Sequence, residues 1–133
     1  MTDIAALQGW LDRYERAWRS NDAADVSALF TEDAVYRWRP WDTPASGADG
    51  RAEIVQAWLK EPDEPGSWTL QIEPLAVNGD LAIARTIVRY RVGPSRPKPI
   101  TYHNIWLIRL DADGRCSEFT EHFMADPKDP GLL

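Results

Sequence analysis

The segment LAVNGDLAIARTIVRY, residues 75–90, holds two runs of apolar and β-branched residues on either side of Asn78-Gly79-Asp80. Asn-Gly is a strong signal for a tight hairpin, because a type I′ turn requires positive φ at its central residues. Asp113-Gly114 repeats this signal further along the chain. We therefore expect antiparallel hairpins in sequence order, with strands at 67–77, 81–92, 100–110 and 116–124.

The first half of the chain has a helical pattern. Apolar residues recur at three- and four-residue steps from Ile4 to Trp18, with Thr2 or Asp3 available as the N-cap. Asn21-Asp22 then interrupts the pattern and can cap a second, short helix. We expect the inner face of this second helix to consist of Val26, Leu29 and Phe30, and its end to lie at 31–33. A strand at 34–38 and a loop at 40–50 are expected next. A third helix is expected to begin at residue 51 and to end at the segment 61–66.

This order of elements predicts an α+β fold. A doubly wound parallel sheet is excluded, because the strands follow one another without crossover helices. We expect a curved antiparallel sheet packed on three N-terminal helices, with a cone-like interior that encloses an apolar pocket. The predicted domain covers residues 1–126, and 127–133 are expected to form a loose tail.

Composition limits the environment and the partners. A chain of 133 residues is long enough for one core. Its 15 basic and 21 acidic residues give a net charge of -6 without a basic stripe, which argues against nucleic acid and membranes as partners. We find no apolar run of about 20 residues and no basic leader. With a single cysteine, Cys116, a cytoplasmic location is expected.

The chain is rich in aromatic residues, with seven tryptophans and four tyrosines. Large rings supply buried area and also form rigid walls of ligand pockets. Two histidines without clustered cysteine or carboxylate partners do not make a metal site. We also find no glycine-rich phosphate loop and no G-x-S-x-G motif, so no cofactor is expected.

Alternation in the last strand identifies a candidate reactive group. Phe119, Glu121 and Phe123 share one face, and His122 lies on the other. The first face is the more apolar one, so we expect it to line the pocket. Glu121 would then be a carboxylate among aromatic rings, where loss of solvent raises its pKa and makes it a general acid.

The neighbouring strands contribute further candidates. In 81–92, one face carries Arg85 and Arg89 and the other carries small residues. If the arginine face is outer, Arg85 is solvated or lies in a dimer interface, and if it is inner, Arg85 can pair with Glu121. In 100–110, Asn104 is expected inside, where a buried amide either ties the sheet to a helix or contacts a ligand.

Three segments resemble a known family: NDAADVSALFTEDAVYRWRP (21–40), GRAEIVQAW (50–58) and DADGRCSEFTEHF (111–123). The first contains the run N-D-x-x-x-V-x-x-L-F-x-x-D-A-x-Y. Together they resemble the nuclear transport factor 2-like superfamily in its SnoaL-like branch. The resemblance implies a pocket between curved sheet and helices and a homodimer built on the outer sheet face. It does not name a reaction, because this superfamily hosts isomerases, cyclases, dehydratases, epoxide hydrolases and binding modules.

The resemblance also suggests roles for individual residues. Glu121 lies where SnoaL-like cyclases and limonene-type epoxide hydrolases have a catalytic aspartate. Arg85 aligns with the pocket arginine of those hydrolases, which favours the inner placement, and Tyr36 matches their water-holding tyrosine. However, Trp38 replaces their asparagine and Ile87 replaces their aspartate base. Epoxide hydrolysis by that mechanism is therefore not expected.

Steroid isomerases of the same fold offer a second comparison. Their helix-one tyrosine matches Tyr14, which is either a pocket hydrogen-bond donor or a core residue. The position of their base is occupied here by Trp38, and the position of their protonated acid lies near Trp106. Ketosteroid isomerisation is therefore not expected either.

The sequence predicts a protein that binds a small hydrophobic organic molecule without a cofactor. As an isomerase, cyclase or dehydratase it would use Glu121 to move a proton and Arg85 or a tyrosine to stabilise negative charge. The alternative is a non-catalytic ligand-binding or dimerisation module. The candidate catalytic residues are Glu121, Arg85 and Tyr36, and the candidate ligand-binding residues are Tyr14, Trp18, Trp38, Asn104, Trp106, Phe119 and Phe123.

Overall fold

Three helices and six strands form the part of the chain that the computed structural model describes, residues 2–43 and 47–133. This confirms the predicted α+β class, with helices at the N-terminus and a curved sheet. Positions 44–46 of the loop predicted at 40–50 lie outside the described residues. The helices are α1 (Ile4–Ser20), α2 (Ala23–Ser27) and α3 (Arg51–Lys60), and the strands are β1 (Phe30–Arg37), β2 (Ala48–Asp49), β3 (Trp68–Asn78), β4 (Leu81–Tyr90), β5 (Ile100–Leu110) and β6 (Cys116–Ala125).

The described strands form one sheet in the order β2-β1-β6-β5-β4-β3. Strands β3 to β6 pair antiparallel with their sequence neighbours, which confirms the predicted hairpins. Strand β1, however, pairs with β6 in parallel, so the sheet is not antiparallel throughout. Because β1 and β6 lie at opposite ends of the chain, this pairing brings the first strand beside the last one and extends the sheet around α1.

Strand β1 begins four residues earlier than the prediction of 34–38. Phe30 pairs with Cys116 at the start of β6, and the Cys116 amide donates to the Leu29 carbonyl oxygen at 2.8 Å. These contacts hold residues 31–33 in an extended conformation, although their polar side chains favour the end of a helix. Leu29 and Phe30 are buried, but they follow α2 and are not part of it.

Both N-terminal helices have aspartate caps. The Asp3 carboxylate accepts the Ala6 amide at 2.8 Å, so Asp3 and not Thr2 caps α1. Asp22 accepts from the amide of Ala24 at 2.8 Å and caps α2. These bonds satisfy amides that have no partner within the helix. None of the described helices is long and apolar enough to cross a membrane.

The core fills the end of the sheet where β4 begins and β5 ends. Trp10 of α1 is fully buried there, and its indole Nε1 donates to the Leu29 carbonyl oxygen at 3.0 Å. Phe119 packs nearly parallel to the rings of Tyr14 and Tyr36, with centroid distances of 5.7 and 4.5 Å. Small or aliphatic residues of the sheet complete this end: Ala82, Ala84, Ile108 and Leu110.

Residues 127–133 are not the loose tail that the sequence predicts. The Leu132 amide donates to the Tyr90 carbonyl oxygen at 3.1 Å, and Asp129 forms an ion pair with Arg89 at 3.0 Å. The prediction was wrong because proline and glycine content reports local flexibility and does not report contacts with a distant strand. The tail therefore belongs to the folded domain.

Gly131 tests whether the tail is bound. Its φ is 82°, and an added Cβ would lie 2.6 Å from the Ile100 amide nitrogen. Gly66 is a matched control, because its φ is 83° and nothing lies within 4 Å of an added Cβ. We expect Gly131→Ala to lower the free energy of unfolding by about 1–3 kcal/mol more than Gly66→Ala, measured by urea denaturation. Equal losses would show that the tail does not pack as described.

Candidate active site

A cavity of about 500 Å³ lies at the other end of the sheet, between the helices and the inner face of β4 to β6. Its size is typical of a site for a small organic molecule. Nine of its lining side chains are aromatic, and three are acidic. The lining residues are Tyr14, Trp18, Tyr36, Trp38, Arg39, Ile54, Ala57, Trp58, Glu61, Asp63, Val88, Tyr90, Tyr102, Asn104, Trp106, Glu121 and Phe123.

Glu121 and Trp106 form a pair on the wall of this cavity. They lie directly opposite each other in the antiparallel pairing of β5 with β6, so both side chains point inward. The Trp106 indole Nε1 donates to the Glu121 carboxylate at 3.1 Å. An indole is a donor only, so it holds the carboxylate in place without adding a charge.

Burial changes the acidity of Glu121. Loss of solvent raises its pKa from the ordinary 4.5 to about 7, and the hydrogen bond from Trp106 offsets part of this rise. A carboxyl group with such a pKa is present in both protonation states near neutral pH. It can therefore give up or accept a proton during a reaction at that pH.

Two tyrosines form a hydrogen-bonded pair beside Glu121. The hydroxyl oxygens of Tyr14 and Tyr36 are 2.8 Å apart. Burial and the nearby negative charges raise the pKa of both phenols well above 10, so both stay protonated. One hydroxyl donates to the other, and the second keeps a hydrogen that it can donate to a bound molecule.

A second carboxylate, Asp63, lies on the same cavity. It accepts hydrogen bonds from Trp18 Nε1 at 3.0 Å and from the Tyr90 hydroxyl at 3.3 Å. Asn21 Nδ2 donates to the Asp63 carbonyl oxygen at 3.1 Å and ties this loop to the end of α1. Asp63 is not among the residues predicted for the site, because a residue in the segment 61–66 carries no local signal beyond helix termination.

Asn104 has one hydrogen-bonding atom without a partner. Its Nδ2 donates to Thr86 Oγ1 at 3.0 Å, which links β5 to β4. Its Oδ1 is buried and accepts no hydrogen bond in the described part of the chain. The amide therefore ties one strand to another, not the sheet to a helix, and a buried acceptor is left on a residue that lines the cavity.

Comparison with known proteins identifies the family. The family model described as a SnoaL-like domain matches residues 11–119, which is most of the chain. The chain belongs to the SnoaL-like family. This confirms the resemblance to the nuclear transport factor 2-like superfamily. No curated protein sequence matches the chain significantly.

Solved structures share the fold of this SnoaL-like protein at low sequence identity. A LEH-like epoxide hydrolase of Mycobacterium tuberculosis has a TM-score of 0.63 and 16% identity over 91% of this chain and 81% of that one. Rv0760c from the same organism has a TM-score of 0.68 and 11% identity, and the match covers 95% of this chain and 100% of that one. An NTF-2 like protein of unknown function from Burkholderia xenovorans LB400 has a TM-score of 0.66 and 16% identity, and the match covers 96% of this chain and 89% of that one. At such identities the likeness shows the fold alone.

Most of the candidate residues from the sequence line the cavity. The structure brings together eight of them from α1, β5, β6 and the region of β1, and it leaves out Arg85 and Phe119. Trp58 and Tyr90 line the cavity as well, although neither was a candidate. The eight are Tyr14, Trp18, Tyr36, Trp38, Asn104, Trp106, Glu121 and Phe123.

Arg85 lies on the outer face, so its predicted pairing with Glu121 is wrong. Its Nη2 contacts Glu73 Oε2 at 2.8 Å, and both side chains are more than half exposed. Glu73 lies opposite Arg85 in the pairing of β3 with β4. A solvated ion pair on the outer face avoids the cost of burying a guanidinium, whereas the inner face of β4 holds small residues such as Ala84.

Phe119 is on the inner face, as alternation predicts, but it does not line the cavity. It is fully buried below the two tyrosines, where it also packs on Trp106 with a centroid distance of 5.2 Å. Space at this depth is filled by Trp10 of α1. Phe119 therefore supports the cavity floor instead of contacting a ligand.

The histidines are not part of the site. His103 and His122 are exposed on the outer face, and His103 Nε2 lies 3.0 Å from Asp126 Oδ2. Within the described residues, no group of three or more histidine, cysteine, aspartate or glutamate side chains could hold a metal ion.

The raised pKa of Glu121 predicts how stability depends on pH. Between pH 4.5 and about 7 the folded state binds more protons at this group than the unfolded state, so the free energy of unfolding falls as pH rises. We expect Glu121→Gln to remove this fall in the free energy of unfolding. The variant should be more stable than the wild type by up to about 3 kcal/mol at about pH 8 and nearly equal to it at about pH 4.

Urea denaturation at both pH values measures this effect. Glu73→Gln is the matched control, because it removes the same charge from an exposed ion pair. Such pairs contribute about 0–1 kcal/mol, so the control is expected to change stability little. A Glu121→Gln variant that is less stable than the wild type at the higher pH would contradict the burial of an unpaired carboxylate.

Proposed function

We propose that this SnoaL-like protein is a cofactor-independent enzyme that transfers a proton on a small organic molecule, as an isomerase, cyclase or dehydratase does. The observation that carries this proposal is Glu121, a partly buried carboxyl group on the cavity wall with a pKa of about 7. Proton transfer is most efficient when the pKa of the catalytic group lies near the working pH.

The proposed reaction uses Glu121 in both protonation states. The ionised carboxylate takes a proton from a carbon next to a carbonyl group, and the electron pair of the broken C–H bond moves to the carbonyl oxygen. The resulting carboxylic acid returns the proton at another position or to a leaving hydroxyl group. The hydrogen bond from Trp106 keeps the carboxylate oriented through both steps.

The tyrosine pair supplies the second element of the proposed mechanism. Negative charge develops on the substrate oxygen when the carbon loses its proton. The free hydrogen of the Tyr14 and Tyr36 pair can be donated to this oxygen, and a donor already fixed in position stabilises such charge. The tyrosines thus replace Arg85 in this role, because Arg85 is on the outer face.

Epoxide hydrolysis is not the reaction we propose, although one structural relative is described as an epoxide hydrolase. Ile87, at the position expected for the second acid, pairs with Gln71 and His103 on the outer face. The inward residues of β4 near it are Thr86 and Val88, which cannot act as a base. β4 therefore does not supply the second acidic side chain that would be needed to activate water.

Exchange of hydrogen for deuterium tests the proposal without a known substrate. We expect the wild-type protein in D₂O to label the α-carbon of some members of a panel of enolisable aryl ketones, with and without amino groups. Loss of the base should slow this labelling, measured by proton NMR, by about 100-fold or more in Glu121→Gln.

The control for this experiment is Glu73→Gln, which is expected to label at the wild-type rate because Glu73 is exposed on the outer face. Equal labelling by Glu121→Gln and the wild type would contradict the proposed role of Glu121. Binding without labelling of any ketone would favour the alternative, a non-catalytic ligand-binding module.

We further propose that two copies pair through the outer face of β4 to β6. This face carries half-buried Ile87, Ile105 and Leu107, and Met124, which is 74% exposed. Exposed apolar side chains that lie next to one another are typical of protein interfaces. The homodimer expected from the sequence would use this surface and leave the cavity free.

Sedimentation velocity tests the pairing. We expect the wild type to sediment as a dimer and Ile105→Lys to sediment as a monomer, because a charge in the centre of the interface is left without a partner. Ile4→Lys is the matched control, since Ile4 is exposed on α1 and away from this face. A monomeric wild type would contradict the proposal.

A further inference from the structure

Glu121 is an acceptor on the cavity wall that the protein satisfies only in part. It accepts a hydrogen bond from Trp106 alone in the described part of the chain. Trp18 and Tyr90 also line the cavity, but they donate to Asp63. A bound molecule meets donors on Trp38, Trp58 and Tyr102, and it also meets a carboxylate with lone pairs left for an N–H or O–H group.

The charges that line the cavity are mainly negative. Glu61, Asp63 and Glu121 line it, whereas Arg39 is the one basic residue among the described lining side chains. Arg39 and Glu61 are both exposed, and the Arg39 guanidinium lies 5.9 Å from the centre of the Phe123 ring. Arg96 is not a lining residue, but its guanidinium stacks on the ring of the lining residue Tyr90 at 3.8 Å. The less exposed charged residues of the lining are Asp63 and Glu121, and both are acidic. An anionic ligand would therefore meet like charges inside the cavity.

The walls favour a cation as well. Nine aromatic side chains line the cavity, and the face of an aromatic ring attracts a positive charge. A purely apolar ligand would gain the ring contacts, but it would displace solvent from the Glu121 carboxylate and leave it with the Trp106 indole as its one donor among the described residues. Such a partly satisfied carboxylate costs free energy, so charge and hydrogen bonding select against this ligand class.

We infer that the cavity selects organic ammonium ions that carry N–H donors on an aromatic or other apolar body. The ammonium group lies against the Glu121 carboxylate and donates a hydrogen bond to it, and the apolar body contacts the rings of the wall. This substrate class rests on the proposed function, because the same cavity and the same carboxylate are used.

Isothermal titration calorimetry with three probes of one shape tests the inference. The probes are 2-(2-naphthyl)ethylammonium, 2-(2-naphthyl)ethanol and 2-naphthylacetate, compared at about pH 8, where Glu121 is mostly ionised. We expect the wild type to bind the ammonium about 10-fold more tightly than the alcohol, because charge-assisted hydrogen bonds and ring contacts are added. The carboxylate should bind more weakly than the alcohol.

Variants assign the preference to the cavity. Glu121→Gln is expected still to bind the alcohol. Its preference for the ammonium over the alcohol should fall to no more than a few-fold. Glu73→Gln removes the same charge from the outer face and should keep the wild-type preference. The inference is overturned if the wild type binds the alcohol or the carboxylate as tightly as the ammonium, if it binds no ammonium, or if Glu121→Gln keeps the preference.

The titration tests the ligand class separately from the deuterium labelling, which tests the proposed function. A wild type that prefers the alcohol but needs Glu121 for deuterium labelling would overturn the cationic class and leave the proton-transfer role intact. A wild type that prefers the ammonium but labels no ketone would retain the ligand class and contradict catalysis.

Discussion

The parallel pairing of β1 with β6 is the constraint on which the site depends. In this pairing Tyr36 lies beside Phe119, so the two rings pack nearly parallel and the Tyr36 hydroxyl reaches Tyr14 of α1. Apart from β6, the two-residue β2 is the one strand that pairs with β1 in the described ranges of the chain. Without this pairing the cavity would lose the wall formed by Tyr36.

The environment of Glu121 combines a cost in stability with a chemical use. Burial raises its pKa because the charged form loses solvent. An arginine beside it would stabilise the charged form and lower the pKa permanently, whereas a bound ammonium ion stabilises the charged base only while it is bound. The neutral indole of Trp106 orients the carboxylate and offsets only part of the rise, so the pKa stays at about 7. The outer placement of Arg85 is therefore consistent with a carboxyl group that works as both acid and base.

Much of the fold and part of the site follow from local patterns in the sequence. Alternation assigns the inner faces of β5 and β6, because one face of each strand is clearly more aromatic than the other. It does not decide β4, where one face alternates isoleucine with arginine and the other carries small residues, because the choice depends on what packs against them. Ala82 and Ala84 are buried in the same core cluster as Trp10 and Tyr14, and Arg85 faces outward.

The sequence by itself determined the α+β class, the order of the hairpins and the inward placement of Glu121, because turn chemistry and side-chain alternation act over a few residues. Only the tertiary structure decided that β1 extends back to Phe30, that Asp63 joins the cavity and that residues 127–133 pack on β4. Each of these depends on contacts between segments far apart in the chain, and a local pattern carries no information about such distances.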